Sequence, residues 1–504
     1  INMVYVIALS LIAGALGLYY FLFKDLDLFK KNGIPHMKPL PLVGNMGSTF
    51  LRQKSLAELV KELYDVHPEA KYTGMYEMTS PVVLLRDPEL IKSIALKHFD
   101  TFPNHRSFIQ DDPLFSKNLF FLRDDRWREV RSMLSPTFTS SKMKVMFKLM
   151  SHCAADFAKY VAQLPEEQKI LDMKEYFARY TNDVIATCAF GVSVDSMRDP
   201  NNLFYLYGKE VTLFSIIVFF KFYIFKTLPR LAKLLKLKLI RKEMAKFFRD
   251  LVEITIKTRD EQGITRPDML QLMMESRGKK EGRQDLTIDD MTSQAFIFFL
   301  AGFDNTSTLM CFAAHEIAVN DDVYKRLQSE IDQVLEETNG QVSYETINNM
   351  EYLDAVVNET LRMYPLAIMW DRECIKDFEL PPTVTGAKPF ILKKGQSVWV
   401  PVYGLHHDPK YFKDPEKFNP DRFVGEQKKH TLNTGVYLPF GLGPRMCIGN
   451  RFALLETKIL LFHLLAQCDL LPCEKTPIPL ELEKLGFIMK PKGGFWLRAM
   501  PRKK

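Results

Sequence analysis

The first residues of the chain form an uncharged and mostly apolar run. Residues 1–23 carry no charged side chain, and a helix of that length extends about 34 Å, enough to cross the hydrocarbon core of a bilayer. We therefore predict a transmembrane anchor over 1–23. A cleavable signal peptide stays open as the alternative, because residues 13–15 resemble a small-residue cleavage site. The basic residues that follow, Lys24, Lys30 and Lys31, favour a cytosolic position for the rest of the chain.

The next stretch, 24–45, is basic and then rich in proline. Proline lacks a backbone N–H and restricts the residue before it, so we do not expect a helix there. We predict a stiff hinge over 24–45, which joins the anchor to a single globular domain over 46–504.

Helical periodicity dominates between about 50 and 350. Short strand-like runs follow at 389–392 and 397–402. The residues 488–498 are predicted to form a β-hairpin that turns at 492–494. Together these patterns predict a mainly α fold with a small β portion.

The segment 213–249 has an unusual composition. An apolar, aromatic run at 216–225 precedes basic residues interleaved with leucines. The run is too short for a second transmembrane helix. Either an interfacial segment, with aromatics at the acyl boundary and lysines at the phosphates, or a buried helix followed by a solvated helix fits the pattern.

Composition narrows the class of protein. Of 504 residues, 47% are hydrophobic, which supports a large core. The net charge of +7 is mild and dispersed, which argues against nucleic acid as a partner. Seven scattered cysteines show no zinc-type spacing and do not suggest a disulfide framework. We expect most of them to be small buried hydrophobes.

Cys447 is the exception, because it lies in a glycine-rich loop. That loop reads Phe440-Gly441-Leu442-Gly443-Pro444-Arg445-Met446-Cys447-Ile448-Gly449. Backbone N–H groups and Arg445 near the sulfur favour a thiolate, and a thiolate ligand on haem iron favours O–O cleavage. A helix is predicted to begin at Asn450, with its positive end toward the sulfur. A lone cysteine in a loop is more often structural, so the spacing of the whole pattern carries this hypothesis.

Two further patterns bear charged pairs on helices. Glu359 and Arg362 lie three residues apart and share a helix face. Such a pair is usually a surface ion pair, but Arg422 stands about sixty residues on in Phe418-Asn419-Pro420-Asp421-Arg422-Phe423. Trp127 and Arg131 lie at i and i+4 of another predicted helix. The alternative interpretation of this segment is an ordinary basic amphipathic helix without a functional pair.

A third helix combines small and polar residues at 298–307. Ala301 and Gly302 would let a flat group approach the backbone, and Asp304 is a carboxylate on an apolar helix. Desolvation could tune Asp304 as a proton shuttle, with Asn305 and Thr306 beside it. The alternative is a helix–helix contact built on small residues.

These motifs, in this order, resemble the cytochromes P-450, the haem-thiolate monooxygenases, over nearly the whole chain. The resemblance implies the cytochrome P-450 fold with an N-terminal transmembrane helix, and haem b (iron protoporphyrin IX) as the cofactor. It implies Cys447 as the metal ligand and a bracing network of Glu359, Arg362 and Arg422. The other implied haem-binding residues are Trp127, Arg131, Ala301, Arg372, Phe440 and Arg445. Whether His105 or Arg106 also contacts a haem propionate stays open.

This sequence departs from the family pattern at one position. The hydroxyl residue usual after the acid is Asn305 here, and Thr306 comes next. An amide positions a water but does not relay protons easily. The expected consequence concerns how tightly oxygen reduction is coupled to substrate oxidation.

The resemblance also implies a cellular setting. It implies an enzyme of the endoplasmic reticulum membrane (the microsomal class), with the catalytic domain facing the cytosol. Electrons would come from NADPH through NADPH–cytochrome P-450 reductase, because the chain contains no GxGxxG or flavin-type segment. Cytochrome b5 is a further candidate partner, and membrane lipid is expected at the anchor.

The amino-acid sequence around Cys447 is similar to that of insect members of the family that are allied to the vertebrate drug-metabolising group. This similarity implies hydrophobic small-molecule substrates, namely xenobiotics such as insecticides or plant toxins. Phenylalanine and methionine repack around varied ligands. The expected pocket lining is Phe108, Phe115, Phe120, Phe214, Met369 and Phe487.

Two rival functions stay open on the sequence. One is a haem-thiolate isomerase or dehydratase that rearranges peroxides without a reductase. The other is a non-catalytic membrane haem sensor. Dependence on NADPH discriminates between these functions and a monooxygenase.

Overall fold

Helices dominate the described part of the chain. The computed structural model describes residues 2–23, 26–106, 112–212, 216–266, 268–275, 285–484, 486 and 488–502. The helices are α1 (Asn2–Phe23), α2 (Leu28–Lys31), α3 (Gly47–Phe50), α4 (Leu56–Asp65), α5 (Pro88–Lys92), α6 (Asp124–Leu134), α7 (Ser140–Ala162), α8 (Met173–Ile185), α9 (Leu203–Thr212), α10 (Ile216–Thr227), α11 (Pro229–Leu234), α12 (Lys242–Gln262), α13 (Met269–Glu275), α14 (Ile288–Leu300), α15 (Ser307–Val319), α16 (Asp321–Glu337), α17 (Tyr344–Asn349), α18 (Glu351–Met363), α19 (Val402–His406), α20 (Gly425–Asn433) and α21 (Asn450–Gln467).

Nine short strands form the β portion that the structure describes. They are β1 (Tyr72–Glu77), β2 (Ser80–Leu85), β3 (Ile170–Asp172), β4 (Trp370–Glu373), β5 (Phe378–Leu380), β6 (Phe390–Leu392), β7 (Ser397–Val400), β8 (Cys468–Leu471) and β9 (Trp496–Pro501). One sheet has the order β1-β2-β7-β4, with β2 and β7 parallel and the other pairs antiparallel. The remaining strands form β3-β9-β8 and β5-β6. The predicted mainly α fold with a small β portion is confirmed.

The strand predictions meet with mixed success. β6 and β7 confirm the strand-like runs at 389–392 and 397–402. The predicted hairpin at 488–498 is wrong, because β9 pairs with β8 on one side and β3 on the other. The hairpin β1–β2 interrupts the region expected to be helical. Most of its residues are buried, so it lacks the alternation that marks a half-exposed strand.

The long helix through the core begins with α14 and ends with α15. A π-helical turn, Ala301–Thr306, joins the two helices. The span Ile288–Val319 is long and apolar enough to cross a membrane, but two-thirds of its apolar window is buried inside the protein. Its hydrophobicity is therefore that of a core helix.

The apolar side chains of α1 have no such cover. Met3, Leu9 and Leu16 are all more than half exposed. The apolar helix Asn2–Phe23 is thus present where the sequence predicts an anchor.

Within the segment predicted at 213–249, the described residues 216–249 include α10, α11 and the start of α12. Ile217 and Leu234 are exposed, while Phe225 is buried. An ordinary buried helix at α10 does not fit this exposure.

Candidate active site

A cavity of about 380 Å³ lies inside the protein, between the Cys447 loop and the long core helix. The loop contributes Phe440, Arg445 and Cys447 to its wall, and the helix contributes Ala301 and Asn305. Other lining residues are Leu119, Phe120, Trp127, Arg131, Ile185, Ile297, Gly302, Thr306, Leu366, Trp370, Arg372 and Phe452. The wall is therefore mostly apolar, with a few cationic and amide groups.

The loop conformation depends on its glycines. Gly441 and Gly443 have φ of 79° and 78°, which other residues rarely adopt. A Cβ on Gly443 would also lie 2.3 Å from the carbonyl oxygen of Ala95. The Cys447 N–H donates to the Phe440 carbonyl at 2.9 Å, which closes the loop beneath the sulfur.

The electrostatic setting of Cys447 differs in part from the sequence-based hypothesis. Burial raises the pKa of the Cys447 thiol, and the Gly449 N–H and the charge of Arg131 offset only part of that rise. The nearby charge is thus Arg131 rather than Arg445. Coordination to a metal ion deprotonates a thiol outright, so iron itself would complete the ionisation.

Glu359, Arg362 and Arg422 lie together in one largely buried cluster. The Arg362 guanidinium donates to both Glu359 oxygens at 2.8 and 2.9 Å, and neither side chain is exposed. Arg422 approaches the same carboxylate at 3.4 Å, and the Asn419 N–H donates to it at 2.9 Å. The carboxylate is therefore fully satisfied, as a buried ion pair must be.

His406 extends this network toward the Cys447 loop, and sequence reasoning missed it. Arg362 donates to the His406 carbonyl at 3.0 Å, and His406 Nδ1 lies 3.1 Å from the Arg362 carbonyl. The Leu438 N–H donates to His406 Nε2 at 3.0 Å, just before the Cys447 loop. Burial lowers the pKa of His406 well below its usual range. The neutral ring therefore carries a proton on Nδ1 and accepts at Nε2.

The residues predicted to bind haem propionates converge on one part of the cavity. Trp127, Arg131, Arg372 and Arg445 all line it, and so does His105. Arg106 does not line the cavity. Its guanidinium pairs with Glu77 and Asp371 instead. The structure thus places His105, rather than Arg106, at the wall.

His105 is held in a neutral form at this wall. Its Nδ1 lies 3.0 Å from an Asp371 oxygen, and its ring stacks on Phe120 at 4.3 Å. Burial and the charge of Arg372 lower the pKa of His105 to about 4. The second ring nitrogen, Nε2, is then an acceptor.

In the described part of the chain, Arg372 has an unpaired N–H donor, whereas the guanidinium of Arg445 is bonded to the protein. The buried Nε of Arg372 has no hydrogen-bond partner among the described residues. Arg445 instead directs its guanidinium to protein acceptors, including Pro103 at 2.8 Å and Leu122 at 2.8 Å. It also lies 4.1 Å above the Trp127 ring.

An iron porphyrin fits this set of residues. Cys447 and Ala301 are exposed although they lie inside the protein, because both line the cavity. Arg372 carries an unpaired buried donor that a propionate would satisfy. Arg131 has no hydrogen-bond partner for its guanidinium among the described residues and is a second free cation. A thiol, small helix residues and free cations are the donor set that haem requires.

The long helix divides its polar residues between two faces. Ala301, Gly302, Asn305 and Thr306 line the cavity, and Asp304 does not. The Asp304 carboxylate pairs with Lys174 of α8 at 2.7 Å.

Lys174 binds the helix at several points. Its ammonium also donates to the Asp304 carbonyl at 2.9 Å and to the hydroxyls of Ser307 and Thr308, each at 2.7 Å. Burial would raise the pKa of Asp304, but the charges of Lys174 and Lys490 hold that pKa below its usual value. Asp304 is thus an ionised carboxylate, and its role as a proton shuttle stays a prediction.

The predicted substrate lining is only partly in place. Phe120 lines the cavity, whereas Phe115 packs against Phe296 at 5.7 Å. Met369 does not line the cavity, although its neighbour Trp370 does. Three further predicted residues, Phe108, Phe214 and Phe487, lie outside the described residues. Sequence reasoning missed the aliphatic residues Ile185, Ile297 and Leu366, which look like any core residue.

The chain is similar in sequence to known proteins of one family. The sequence model of the family Cytochrome P-450 matches residues 34–498. Cytochrome P-450 9e2 of Blattella germanica is 46% identical over 501 residues, which cover 94% of this chain and 93% of that protein. Probable cytochrome P-450 9f2 of Drosophila melanogaster is 43% identical over 514 residues, covering 98% and 99%. Probable cytochrome P-450 6g2 of the same fly is 36% identical over 516 residues, covering 98% of each.

These matches span both the helices and the cysteine loop that form the cavity. By the match of its family model over 34–498 and by these relatives, the chain belongs to the cytochrome P-450 family of haem-thiolate monooxygenases.

Proposed function

We propose that this monooxygenase oxidises hydrophobic xenobiotics, such as insecticides or plant toxins, at the endoplasmic reticulum membrane. The observation that carries the proposal is the mostly apolar wall of the cavity above Cys447. An apolar wall recognises substrates by burial and shape rather than by hydrogen bonds, so it tolerates varied ligands.

The residues of the chain divide the work around the cofactor. Haem bound through Cys447 supplies the electron-rich iron that activates oxygen. We propose that Arg131, Arg372, Trp127 and His105 hold the propionate edge. Because His105 presents an acceptor nitrogen, it contributes there only if it gains a proton when the propionate binds.

Proton delivery falls to the residues that line the cavity. The amide of Asn305 both donates and accepts, so it fixes a water without transferring a proton itself. The hydroxyl of Thr306 both donates and accepts and can pass a proton on. We propose that Thr306 takes this role, while Asp304 and Lys174 hold the shape of the helix from its far side.

Membrane attachment is proposed at two sites. The exposed apolar helix α1 anchors the chain, with 24–45 as the hinge and 46–504 as the catalytic domain. The exposed apolar residues of α10 and α11, including Ile217 and Leu234, make a second, interfacial contact.

Electrons are proposed to come from NADPH through NADPH–cytochrome P-450 reductase, with cytochrome b5 as a second donor. An acidic partner would dock on basic residues near the Cys447 loop. Arg445 is buried, and Lys428 and Lys429 pair with Asp354 and Glu426. Among these four basic residues, the exposed Arg451 is therefore the best placed to contact an acidic partner.

The test combines binding and turnover. Purified protein is titrated with a panel of insecticides and plant toxins while substrate-binding difference spectra are recorded, and is then reconstituted with reductase and NADPH. The proposal expects spectral shifts with several unrelated apolar compounds and oxygenated products only when both NADPH and reductase are present. Rearrangement of a peroxide without NADPH would point to an isomerase. Spectral shifts with no product would point to a haem sensor.

A further inference from the structure

The cavity wall includes a segment that has no regular secondary structure. Residues 112–122 connect to α6, and Leu119 and Phe120 of this segment line the cavity. A loop at such a position sets the shape of the cavity only if something fixes its backbone. The polar groups of its backbone are fixed at three places along the segment.

The start of the segment is fixed by Asp112, which is buried. One carboxylate oxygen accepts the N–H of Leu114 at 3.1 Å. The other oxygen accepts the N–H groups of Leu239 and Ile240, each at 3.2 Å. Asp112 therefore ties the segment to the chain just before α12.

The middle of the segment is fixed by two side chains of α14. Gln294 is fully buried, and its amide oxygen accepts the N–H of Leu119 at 2.8 Å. Its amide nitrogen donates to the carbonyl of Lys117 at 2.7 Å. The neighbouring Ser293 donates to the carbonyl of Leu114 at 2.7 Å. Gln294 thus bonds to the loop backbone in the way that a neighbouring strand would.

The far end is fixed from the Cys447 loop. Arg445 donates to the carbonyls of Leu119 at 3.4 Å and Leu122 at 2.8 Å. The peptide groups on both sides of Leu119 are therefore held, one by Gln294 and the other by Arg445. The cavity wall at Leu119 and Phe120 is pinned to the same helix and the same loop that bear the candidate catalytic residues.

We propose that Gln294 is a positioning residue that sets the shape of the cavity, and thereby which ligands fit. It touches neither the cavity nor the reacting atoms. It acts through Leu119 and Phe120, whose side chains form the wall. The inference rests on the proposed role of this cavity as the substrate chamber.

The test compares two variants of α14 in the full-chain holoenzyme. Gln294→Met keeps the length of the side chain but removes both hydrogen bonds to the loop. Thr292→Val is the matched control, because the hydroxyl of Thr292 donates to the Ile288 carbonyl of its own helix and, among the described residues, has no bond to the loop.

Two readouts separate positioning from a general loss of stability. The first is hydrogen–deuterium exchange of the peptide that contains Leu119, which should become faster in Gln294→Met and stay unchanged in Thr292→Val. The second is the ratio of spectral Kd values for a bulky azole, clotrimazole, and a small one, 4-phenylimidazole. In Gln294→Met the Kd of clotrimazole divided by the Kd of 4-phenylimidazole should fall by about five-fold. A change of that size corresponds to the free energy of one net hydrogen bond.

Each outcome bears on one claim. Faster exchange with an unchanged Kd ratio would overturn the role in ligand selection, and unchanged exchange would overturn the anchoring itself. If Gln294→Met fails to hold haem, Ser293→Ala removes the Leu114 anchor alone and must move the ratio in the same direction by about two-fold. Failure of both azoles to shift the wild-type spectrum would reject the proposed substrate chamber instead.

Discussion

At the scale of single residues, Asn305 and Thr306 are the polar groups of the core helix that face the cavity. If the amide of Asn305 is only a partial substitute for a hydroxyl, Asn305→Thr should increase the product formed per NADPH consumed and lower the peroxide released. Thr306→Val should reduce product formation by about 10²-fold or more if Thr306 carries the proton. Product, NADPH and peroxide are measured together in the reconstituted system.

A fall in coupling with Asn305→Thr would mean that Asn305 is adapted to this site. Unchanged turnover in Thr306→Val would show that Thr306 does not deliver the proton. Thr308→Val is the control, because that hydroxyl accepts from Lys174 and does not line the cavity.

The Asp304–Lys174 pair gives a separate prediction at this scale. Asp304→Asn leaves the partly exposed Lys174 ammonium without its carboxylate, and a polar group left unsatisfied in this way should cost about 1–3 kcal/mol of stability. The midpoint of urea-induced loss of the haem absorption band measures this cost. Adding Lys174→Met to Asp304→Asn should recover part of the loss. A double variant as unstable as the sum of both single variants would show that the pair is not coupled.

The sequence predicts the residue types on this helix better than their directions. Residues four apart share a helix face, so Ala301 with Asn305 and Gly302 with Thr306 belong together. In a regular helix, residues three apart also share a face, so the spacing alone does not separate Asp304 from Ala301. Asp304 faces α8 within the π-helical turn Ala301–Thr306, a local departure from regular periodicity that the sequence does not reveal. Its partner Lys174 was not predicted either, because it lies 130 residues away and only the fold brings it near.

At the scale of elements, the network of Glu359, Arg362 and Arg422 joins α18 to the chain before the Cys447 loop. Glu359→Gln removes the charge opposite two arginines in a site with no exposure, which should cost about 3–5 kcal/mol. We expect a large loss of haem incorporation, measured as the absorbance ratio of haem to protein. Glu261→Gln is the matched control, because Glu261 forms an exposed ion pair with Lys257, worth about 0.5 kcal/mol or less.

Normal haem content in Glu359→Gln would contradict the bracing role.

The network also shows what a local sequence pattern predicts. The spacing of Glu359 and Arg362 predicts their contact, since both lie on one helix. His406 was missed because its bonds reach Arg362 and Leu438, 44 and 32 residues away, and a lone histidine has no local signature. The pairing of β9 failed for the same reason, because its neighbours β8 and β3 are distant in sequence.

At the scale of the whole molecule, the exposed apolar surface lies on α1 and on α10 with α11. Removal of residues 2–23 should weaken membrane binding and leave haem content unchanged, because the hinge separates α1 from the cavity. Residual binding should persist through α10 and α11. Partition between membrane and soluble fractions at physiological salt measures both effects.

Complete release of the truncated protein would reject the second contact. The substitutions Ile217→Ser and Leu234→Ser on the truncated chain should abolish the residual binding, since both side chains are exposed and apolar. Binding that is insensitive to the truncation would reject the anchor.

The central claim is that Cys447 is the ligand that holds haem iron in this cavity. The most direct measurement is the absorption spectrum of the reduced protein with carbon monoxide, which shows a red-shifted Soret band when the ligand is a thiolate. The wild-type protein and Cys473→Ala, a cysteine that does not line the cavity, should both show this band. Cys447→Ala and Cys447→His should lose it together with activity. A Cys447→Ala protein that keeps the band and the activity would contradict the account.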